Sequence, residues 1–555
     1  MRHHRATLNA PTPTPAIVSE RSAERLPRLV LLLLCIAYVV PGVFGRDPWR
    51  NADLSAFGFM ASLAKGSAPW WQPAIAGIPA EGGPLPYWLG ALAIKLLPWL
   101  DAAVAARLPY ALVLAGVLVL VWYAAFHLAR TEAAQPIAFA FGGEAQLVDY
   151  ARALADGALL AMIATLGLLL LGHETTPELL QLLAASCYLY GLAAAPYRPG
   201  RSRLAVFAAL PLLAASGAPS VALWLGALGL VLAHRSSYEA AQRLRVWLLA
   251  SMATAVMAAW LFDAWAWRLR PMADLPALIN LIAWFTWPVL PMSLWALWRW
   301  RSHRLRRHIT IPLVCALVPL GACVAMNGAD RALLLALPAL AVLAAFALPT
   351  LQRGFAAAVD WFSVLFFSAF VLFVWIYYLS MHTGWPAQPL ANVRKLAAGF
   401  EPSFQLLPLL LGAAGTLAWL ALVRWRTARH RHAIWKSLAL PAGGVAAVWL
   451  LVMTLLLPPL DYARSLTPLL ASVRPHLPLD APCVAGRGLS LPTLAALQFQ
   501  GGWRMEARSD LSRSACPYAL LQAGQSMPAG WVLVAEVRRP TDRSGAQALS
   551  VLRRP

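Results

Sequence analysis

Residues 45–104 contain the residue types from which a reaction site at a membrane surface can be built. Four acids lie there: Asp47, Asp53, Glu81 and Asp101. The aromatic residues of the stretch are Trp49, Trp70, Trp71, Tyr87, Trp88 and Trp99. Trp and Tyr favour the boundary between lipid and water, and a carboxylate placed there can accept a proton from a hydroxyl group. The stretch is therefore where the sequence predicts chemistry.

The pattern around Asp53 admits two interpretations. Apolar residues recur at helical spacing from Leu54 to Ala64, which predicts a short helix that begins at Asp53. In the simpler interpretation Asp53 caps this helix by accepting a hydrogen bond from its first turn. In the functional interpretation its carboxylate acts on a substrate. A second short helix is expected after Pro84, ending near Leu97.

The elements that must position these residues are membrane spans. Hydrophobic residues make up 60% of the chain and charged residues 12%, with a mean hydropathy of +0.62. Soluble domains contain about 45–50% apolar residues, so lipid must surround most of this chain. We expect about thirteen spans. They lie near residues 29–44, 105–128, 154–171, 179–195, 204–215, 219–234, 246–262, 279–298, 309–326, 332–349, 361–380, 404–423 and 437–457.

Two places weaken that count. Residues 204–215 are short for a span, and residues 135–150 form a glycine-interrupted, mildly apolar stretch that could be a degenerate one. The first span follows a basic leader like that of a signal peptide. It lacks a small-residue cleavage site, which predicts an uncleaved anchor.

The net charge of +21 indicates topology rather than nucleic-acid binding, because the arginines recur in alternate loops and form no single basic face. Cationic loops stay on the cytoplasmic side of a membrane. The predicted cytoplasmic clusters run from Arg198 to Arg203, from Arg235 to Arg245, from Arg299 to Arg307 and from Arg424 to Lys436. This pattern predicts an inner-membrane protein with a cytoplasmic N-terminus and a periplasmic C-terminal part.

Three parts of the chain are expected: a cytoplasmic leader over 1–28, a transmembrane region over 29–457 and a small periplasmic α/β domain over 458–555. Strand-like runs in the last part lie at 483–485 and 531–537, with a helix predicted at 491–499.

The six cysteines divide between two environments. Cys483 and Cys516 are the two in the predicted outer domain, and an even pair in an oxidising compartment favours a disulfide. The other four lie in apolar spans, where buried thiols are ordinary packing, and they form no metal-binding pattern.

Several short motifs occur in an order typical of one membrane family. The segment from Asp47 to Asp53 is Asp-Pro-Trp-Arg-Asn-Ala-Asp. It is followed by Trp71-Gln72-Pro73, Gly77-Ile78-Pro79, Glu81-Gly82-Gly83-Pro84-Leu85-Pro86-Tyr87-Trp88 and Ala106-Arg107-Leu108-Pro109. The ordered set resembles the GT-C type membrane glycosyltransferases, especially the lipid A aminoarabinose transferases and the protein O-mannosyltransferases of glycosyltransferase family 39. The resemblance covers about residues 30–350 and implies an all-α polytopic fold.

The resemblance implies transfer of a sugar from a polyprenyl-phosphate donor to a lipid or protein acceptor at the outer face of the inner membrane. It assigns catalysis to Asp53, with Asp47 in place of a lost member of the family's acidic pair. Glu81 would position substrate. Arg331 is the first candidate for the cation near the leaving phosphate, and Arg107 is the second.

The sequence also departs from the family. Ala52-Asp53 stands where an acidic pair is usual, and Gly82 replaces the lysine of Glu-Lys-Pro. Arg107 and Arg331 could alternatively be interfacial anchors.

The alternative function is a catalytically degenerate or transport protein of the same helical frame, involved in envelope glycolipid assembly. Internal repeats and midplane ionisable groups, which transporters show, are not evident in the sequence. No metal motif occurs, and a divalent metal cofactor stays open. The expected partners are membrane lipid, the lipid-linked sugar and the acceptor, without nucleic acid.

Overall fold

The computed structural model describes residues 14–49, 51–266, 268–271, 274–427, 433–507, 510–542 and 548–555. The first part of the chain contains α1 (Arg28–Val39), α2 (Ala52–Ala64), the antiparallel pair β1 (Ala74–Ile75) and β2 (Ile78–Pro79), α3 (Leu85–Leu96), α4 (Ala102–Ala129), α5 (Leu147–Ala164) and α6 (Leu166–Leu171).

The middle of the chain continues as helices. They are α7 (Pro177–Ala194), α8 (Pro199–Ala215), α9 (Pro219–His234), α10 (Glu239–Gln242), α11 (Leu244–Leu261), α12 (Leu275–Phe285), α13 (Val289–Arg299), α14 (Arg307–Ala325), α15 (Asp330–Leu334) and α16 (Leu337–Ala347). After them come α17 (Arg353–Thr383), α18 (Ala387–Leu396), α19 (Leu406–Thr427), α20 (Lys436–Leu455), α21 (Leu457–Arg464) and α22 (Thr467–Val473).

Each predicted span falls on one helix or on two successive helices, which confirms the all-α polytopic fold. The number thirteen is not confirmed. Within the described residues, six helices are long and apolar enough to cross a membrane, and a seventh span results if α12 and α13, bent by 88°, count together. Several other predicted spans are short helices; α1, for example, has 12 residues.

Residues 135–150 are not a degenerate span. Most of the stretch is a loop that lies along the N-terminal segment, where the Ile137 N–H donates to the Ala16 carbonyl (3.0 Å) and the Ala145 N–H donates to the Val18 carbonyl (3.0 Å).

The loops gather at two opposite ends of the bundle. We call one of them the arginine end; it comprises residues 14–27, 130–146, 195–203, 235–243 and 299–307. There Arg307 donates to the Leu192 carbonyl (2.7 Å) and to the Ser236 hydroxyl (3.0 Å). We call the other the site end; it comprises the described residues of 40–104, 172–176, 262–274 and 326–331. There Arg331 pairs with Glu174 at 2.7 Å. The first three predicted cytoplasmic clusters therefore share an end, while the fourth, over 424–436, includes residues 428–432, which lie outside the described residues.

A small α/β domain follows the bundle. It contains β3 (Val484–Arg487), α23 (Leu491–Ala495) extended by a π-helical turn (Ala496–Gln500), β4 (Met505–Ala507), β5 (Tyr518–Gln522), β6 (Val532–Val537) and β7 (Leu549–Arg553). The strand order is β4-β3-β5-β7-β6, with β3 parallel to both of its neighbours and β7 antiparallel to β5 and β6. Cys483 and Cys516 form the predicted disulfide, with Cα atoms 5.1 Å apart.

This domain packs on the site end. The Gln498 side-chain carbonyl accepts from the Ala76 N–H (3.0 Å), and the Ala76 carbonyl accepts from the Ala507 N–H (3.0 Å). A Cβ atom added at Gly58 of α2 would lie 2.6 Å from Ala495 Cβ, so α2 and α23 are in close contact. The domain therefore holds residues 45–104 against the bundle from outside.

Candidate functional site

Asp53 lies in the first turn of α2, which begins at Ala52 rather than at Asp53. Asn51 occupies the N-cap position with φ 74° and ψ −133°, a strained backbone conformation for a residue other than glycine, and its side chain makes no capping bond. The Asp53 carboxylate instead reaches another loop, where one oxygen accepts from both the N–H and the hydroxyl of Thr175, each at 2.8 Å. The capping interpretation is therefore wrong, and Asp53 ties α2 to the loop before α7.

The surroundings of Asp53 favour its charged form. Its side chain is 2% exposed, and Arg46 Nη1 lies 4.0 Å from the second carboxylate oxygen. Burial raises the pKa of Asp53, but the charges of Arg46 and Arg107 and the two bonds from Thr175 outweigh it, so the pKa lies below its ordinary value. Asp53 is an ionised carboxylate enclosed by fixed donors.

Arg46 and Arg107 form the cationic centre of the site end. Arg46 donates to the carbonyls of Gly42 (2.7 Å) and His173 (2.6 Å), and Arg107 donates to the Arg46 carbonyl (2.6 Å). The second terminal nitrogen of Arg107 is buried without a hydrogen-bond partner among the described residues. His173 donates from Nε2 to a carbonyl, and burial lowers its pKa to about 4, so it carries no charge at neutral pH.

Asp47 lies beside Asp461 of α21. Asp461 accepts from the Asp47 N–H and from the Trp49 indole N–H, both at 2.9 Å, and the Thr467 hydroxyl donates to the Asp47 carboxylate at 2.5 Å. Burial raises the pKa of Asp461, and the adjacent negative charge of Asp47 raises it further. Arg107 lies within electrostatic reach of both acids as well as of Asp53.

Both acids line a cavity of about 1050 Å³ beneath α21 and α22. Its apolar wall comes from α19, α20 and their ends and includes Leu406, Leu407, Leu411, Met453 and Leu457. Its polar residues include Asp47, Asp461, Ser465 and Thr467. A cavity of this size with a polar rim can hold an apolar chain and place a hydroxyl group beside the carboxylates, but its lining among the described residues offers no cation for a phosphate.

Arg331 is not free to meet an anion directly. It pairs with Glu174 at 2.7 Å and with Glu178 at 3.3 Å, and it donates to the Thr176 hydroxyl at 3.2 Å. Burial raises the pKa of Glu174, and Arg331 opposes that rise. The sequence analysis did not single out Glu174 and Glu178, although they flank a loop without any lysine or arginine.

Glu81 is exposed and has no hydrogen bond to Asp53 or to any other described residue. It lies within electrostatic reach of Tyr87, as do Glu178 and Arg268, and burial raises the Tyr87 pKa. Arg268 is a cation that the sequence analysis missed. It is half-buried and has no ion-pair partner in the described part of the chain.

The backbone at position 82 suits glycine better than the lysine that the resemblance leads us to expect. Gly82 has φ 94°, where a side chain is strained, and a Cβ atom there would lie 3.3 Å from Gly217 Cα and 3.6 Å from Arg268 Nη2. At Gly83 an added Cβ atom would lie 1.7 Å from the Ala215 carbonyl oxygen, so only glycine fits there. The Arg268 guanidinium thus occupies the space beside position 82.

Comparisons with known proteins agree with this architecture. No protein-family model and no curated protein matches the sequence. Among solved structures, ArnT from Cupriavidus metallidurans in the apo state matches with a TM-score of 0.61 and 13% identity, over 95% of this chain and 97% of that one. The same protein bound to undecaprenyl phosphate matches with a TM-score of 0.61 and 13% identity, over 94% of this chain and 97% of that one.

A lower likeness is found to the oligosaccharyltransferase AglB from Archaeoglobus fulgidus, in complex with an inhibitory peptide and a dolichol-phosphate. Its TM-score is 0.48 at 11% identity, over 89% of this chain and 69% of that one.

The apolar helices define a multi-pass membrane protein, and the likeness to ArnT shows that its fold is of the kind found in that membrane protein. More particularly, the chain shares nearly its whole length, including the small terminal domain, with the fold of ArnT. The fold expected from the motif order of residues 45–104 is confirmed.

Proposed function

We propose that this protein is a glycosyltransferase that takes a sugar from a polyprenyl-phosphate carrier and transfers it to a lipid or protein acceptor. The observation that carries the proposal is Asp47 on the rim of a cavity with apolar walls, in a chain whose fold matches a structure bound to undecaprenyl phosphate.

Asp47 is the residue to which we assign the proton transfer. An acceptor hydroxyl gives its proton to the Asp47 carboxylate while its oxygen attacks the anomeric carbon of the sugar. The bond from that carbon to the carrier phosphate breaks, and the phosphate leaves with the electron pair. The Asp461 carboxylate accepts hydrogen bonds from the Asp47 backbone N–H and from the Trp49 indole N–H, so Asp461 is a positioning residue for this step.

Asp53 also acts as a positioning residue in this proposal. Its oxygens are occupied by Thr175 and face Arg46, so it fixes α2 and the loop before α7. Asp47 lies in the segment that leads into α2, and Glu174 lies in the loop before α7.

We assign binding of the carrier phosphate to Arg268. A cation beside the phosphate stabilises the negative charge that develops as the bond breaks. Arg331 is neutralised by Glu174 and Glu178, whereas Arg268 has no acidic partner among the described residues and lies next to position 82. The cavity at Asp47 suits the acceptor better than the phosphate, because a phosphate there would face both Asp47 and Asp461.

Binding of undecaprenyl phosphate to the full-length protein in nanodiscs tests this assignment. We expect Arg268→Gln to weaken binding at least about tenfold, because a charged hydrogen bond to phosphate is removed. The matched control is Arg270→Gln, since Arg270 is exposed and makes only a backbone bond, from its N–H to the Ala325 carbonyl (3.1 Å). Equal binding by wild type and Arg268→Gln would contradict the assignment of Arg268 to the carrier phosphate. No binding by wild type would contradict the proposal that the protein uses a polyprenyl-phosphate carrier.

The location of the site follows from the same proposal. The arginine end lies in the cytoplasm, and the site end with the small domain faces the periplasm across the inner membrane. A periplasm-dependent reporter fused after Leu457 should be active, and one fused at the loop from Arg235 to Arg243 should be inactive. The reverse pattern would contradict this topology.

A further inference from the structure

A second cavity lies at the arginine end, away from the site end. It has a volume of about 520 Å³ and opens between α1, α4 and α5. Its apolar wall comprises Leu31, Leu32, Cys35, Ala115, Leu118, Val119 and Leu159. Its polar and aromatic lining comprises Arg25, Arg28, Arg152, Asp156, Trp122 and Tyr123. The cavity therefore combines an apolar wall with a cationic rim. This combination is complementary to an anionic amphiphile.

The arginines of this rim are held in place by the chain around them. The Asp156 carboxylate accepts from the Leu26 N–H (3.0 Å) and from the Trp122 indole N–H (2.8 Å), which fastens the leader to α4 and α5. Both oxygens of this acid are thereby occupied. The segment that carries Arg25 and Arg28 is thus fixed on either side of Leu26.

Arg25 and Arg28 make no direct contact with an acid, although Arg25 lies within electrostatic reach of Asp156, as does Arg152. Neither has a hydrogen bond or an ion pair within the described residues, and both side chains are exposed. Arg152 has a weak partner in Asp149 at 3.5 Å, and Asp149 is 48% exposed, so water screens this pair. Three guanidinium groups therefore surround one apolar opening whose lining contains one acid, Asp156, so the opening carries a net positive charge.

The helix α1 links this cavity to the site end. It begins at Arg28 on the cavity rim, and at its other end the Tyr38 carbonyl accepts from His173 at 2.8 Å. The chain continues to Gly42, whose carbonyl accepts from Arg46 at 2.7 Å. Whatever fills the gap between α1 and α4 also supports the position of Arg46.

We propose that this cavity binds an anionic phospholipid of the surrounding bilayer, with its phosphate between Arg25, Arg28 and Arg152 and one acyl chain against Leu118 and Leu31. The lipid completes the packing of α1 against α4 and α5. The proposal does not depend on the sugar-transfer activity, because it uses other residues at the opposite end of the bundle.

Native mass spectrometry of the full-length protein, with phosphatidylglycerol and phosphatidylethanolamine supplied in equal amounts, tests the charge requirement. A basic residue near a membrane surface contributes about fivefold to the preference for anionic lipid. Arg25→Gln/Arg28→Gln should therefore lower the ratio of retained phosphatidylglycerol to phosphatidylethanolamine by about twenty-five-fold. The control is Arg201→Gln/Arg235→Gln, which removes two exposed arginines of the same end outside the cavity.

A second variant tests the cavity without removing a charge. Ala115→Trp fills the apolar wall and should reduce bound phosphatidylglycerol, whereas Leu112→Trp, at a 75% exposed position on the same helix, should not. Unchanged retention in both Arg25→Gln/Arg28→Gln and Ala115→Trp would overturn the proposal. An equal loss in Arg201→Gln/Arg235→Gln would also overturn it, because the effect would then come from overall charge. Displacement of phosphatidylglycerol by equimolar undecaprenyl phosphate would assign the cavity to the carrier instead.

Discussion

Asp47 and Asp53 belong to one short segment but have opposite surroundings. Asp53 is enclosed, with Thr175 donating two hydrogen bonds to one oxygen and Arg46 facing the other. Asp47 accepts one hydroxyl bond from Thr467 and lines an open cavity of about 1050 Å³. A carboxylate whose lone pairs are occupied stabilises structure, while one beside open space can exchange a proton with a substrate. The family resemblance assigned catalysis first to Asp53, with Asp47 as its substitute partner, whereas the contacts favour Asp47.

Removal of the Asp47 carboxylate should have the largest effect on activity. A general base contributes about 10²–10⁴ in rate, so Asp47→Asn should lower sugar transfer by that factor. Because Asp47 is only partly buried, the melting temperature should change little. The measurement is transfer of labelled sugar from lipid-linked donor in proteoliposomes, beside the melting temperature. Full activity of Asp47→Asn would show that another group accepts the proton.

Asp53→Asn should show the opposite profile. Loss of the buried charge weakens its contacts with Thr175 and Arg46, which should lower the free energy of unfolding by about 1–3 kcal/mol. Activity per folded molecule should fall less than in Asp47→Asn. The matched control is Asp101→Asn, because Asp101 caps α4 by accepting from Ala103 and Val104 and lies outside the site. A stable but inactive Asp53→Asn protein would return the catalytic role to Asp53.

The stability difference between wild type and Asp53→Asn should depend on pH. The folded-state pKa of Asp53 is lowered from its ordinary value of 3.8, so the charged carboxylate contributes stability above that pH. The contribution is lost as pH falls through the lower, folded-state pKa. The difference in melting temperature should be constant from about pH 7 to about pH 5 and shrink below about pH 4. A difference that grows in acid would contradict the ion-pair assignment.

Asp461→Asn should have the smallest effect. The asparagine carbonyl can still accept from the Asp47 and Trp49 N–H groups, so we expect a loss of activity of about tenfold or less. The distinguishing readout is the pH profile of transfer, because the raised pKa of Asp461 places a titrating charge beside Asp47. Asp461→Asn should therefore alter the acidic limb of the profile. An unchanged profile would show that Asp461 does not act through Asp47.

Local patterns in the sequence predicted most of the fold. The helical stretches, the short helix after Pro84, the small α/β domain and the Cys483–Cys516 pair all follow from periodicity, composition or compartment, and the structure contains them. The number of spans was less predictable. Apolar runs interrupted by turns, such as α12 and α13 with their 88° bend, carry the same hydrophobic signal as straight spans.

The arrangement of the site was less accessible from sequence. Asp461 bonds to the Asp47 N–H from 414 residues away along the chain, and no local pattern indicates such a contact. Arg268 likewise reaches position 82 from a separate loop. The motif order directed attention to residues 45–104, but only three-dimensional contacts distinguish an enclosed carboxylate from an accessible one.

The most direct test of the account is a structure of the protein with bound undecaprenyl phosphate. The account predicts the phosphate within hydrogen-bond distance of the Arg268 guanidinium, with Asp47 facing the adjoining space and Asp53 still bonded to Thr175. A phosphate bound only at the arginine end, or bound at the site end by Arg331 after release of Glu174 and Glu178, would contradict it.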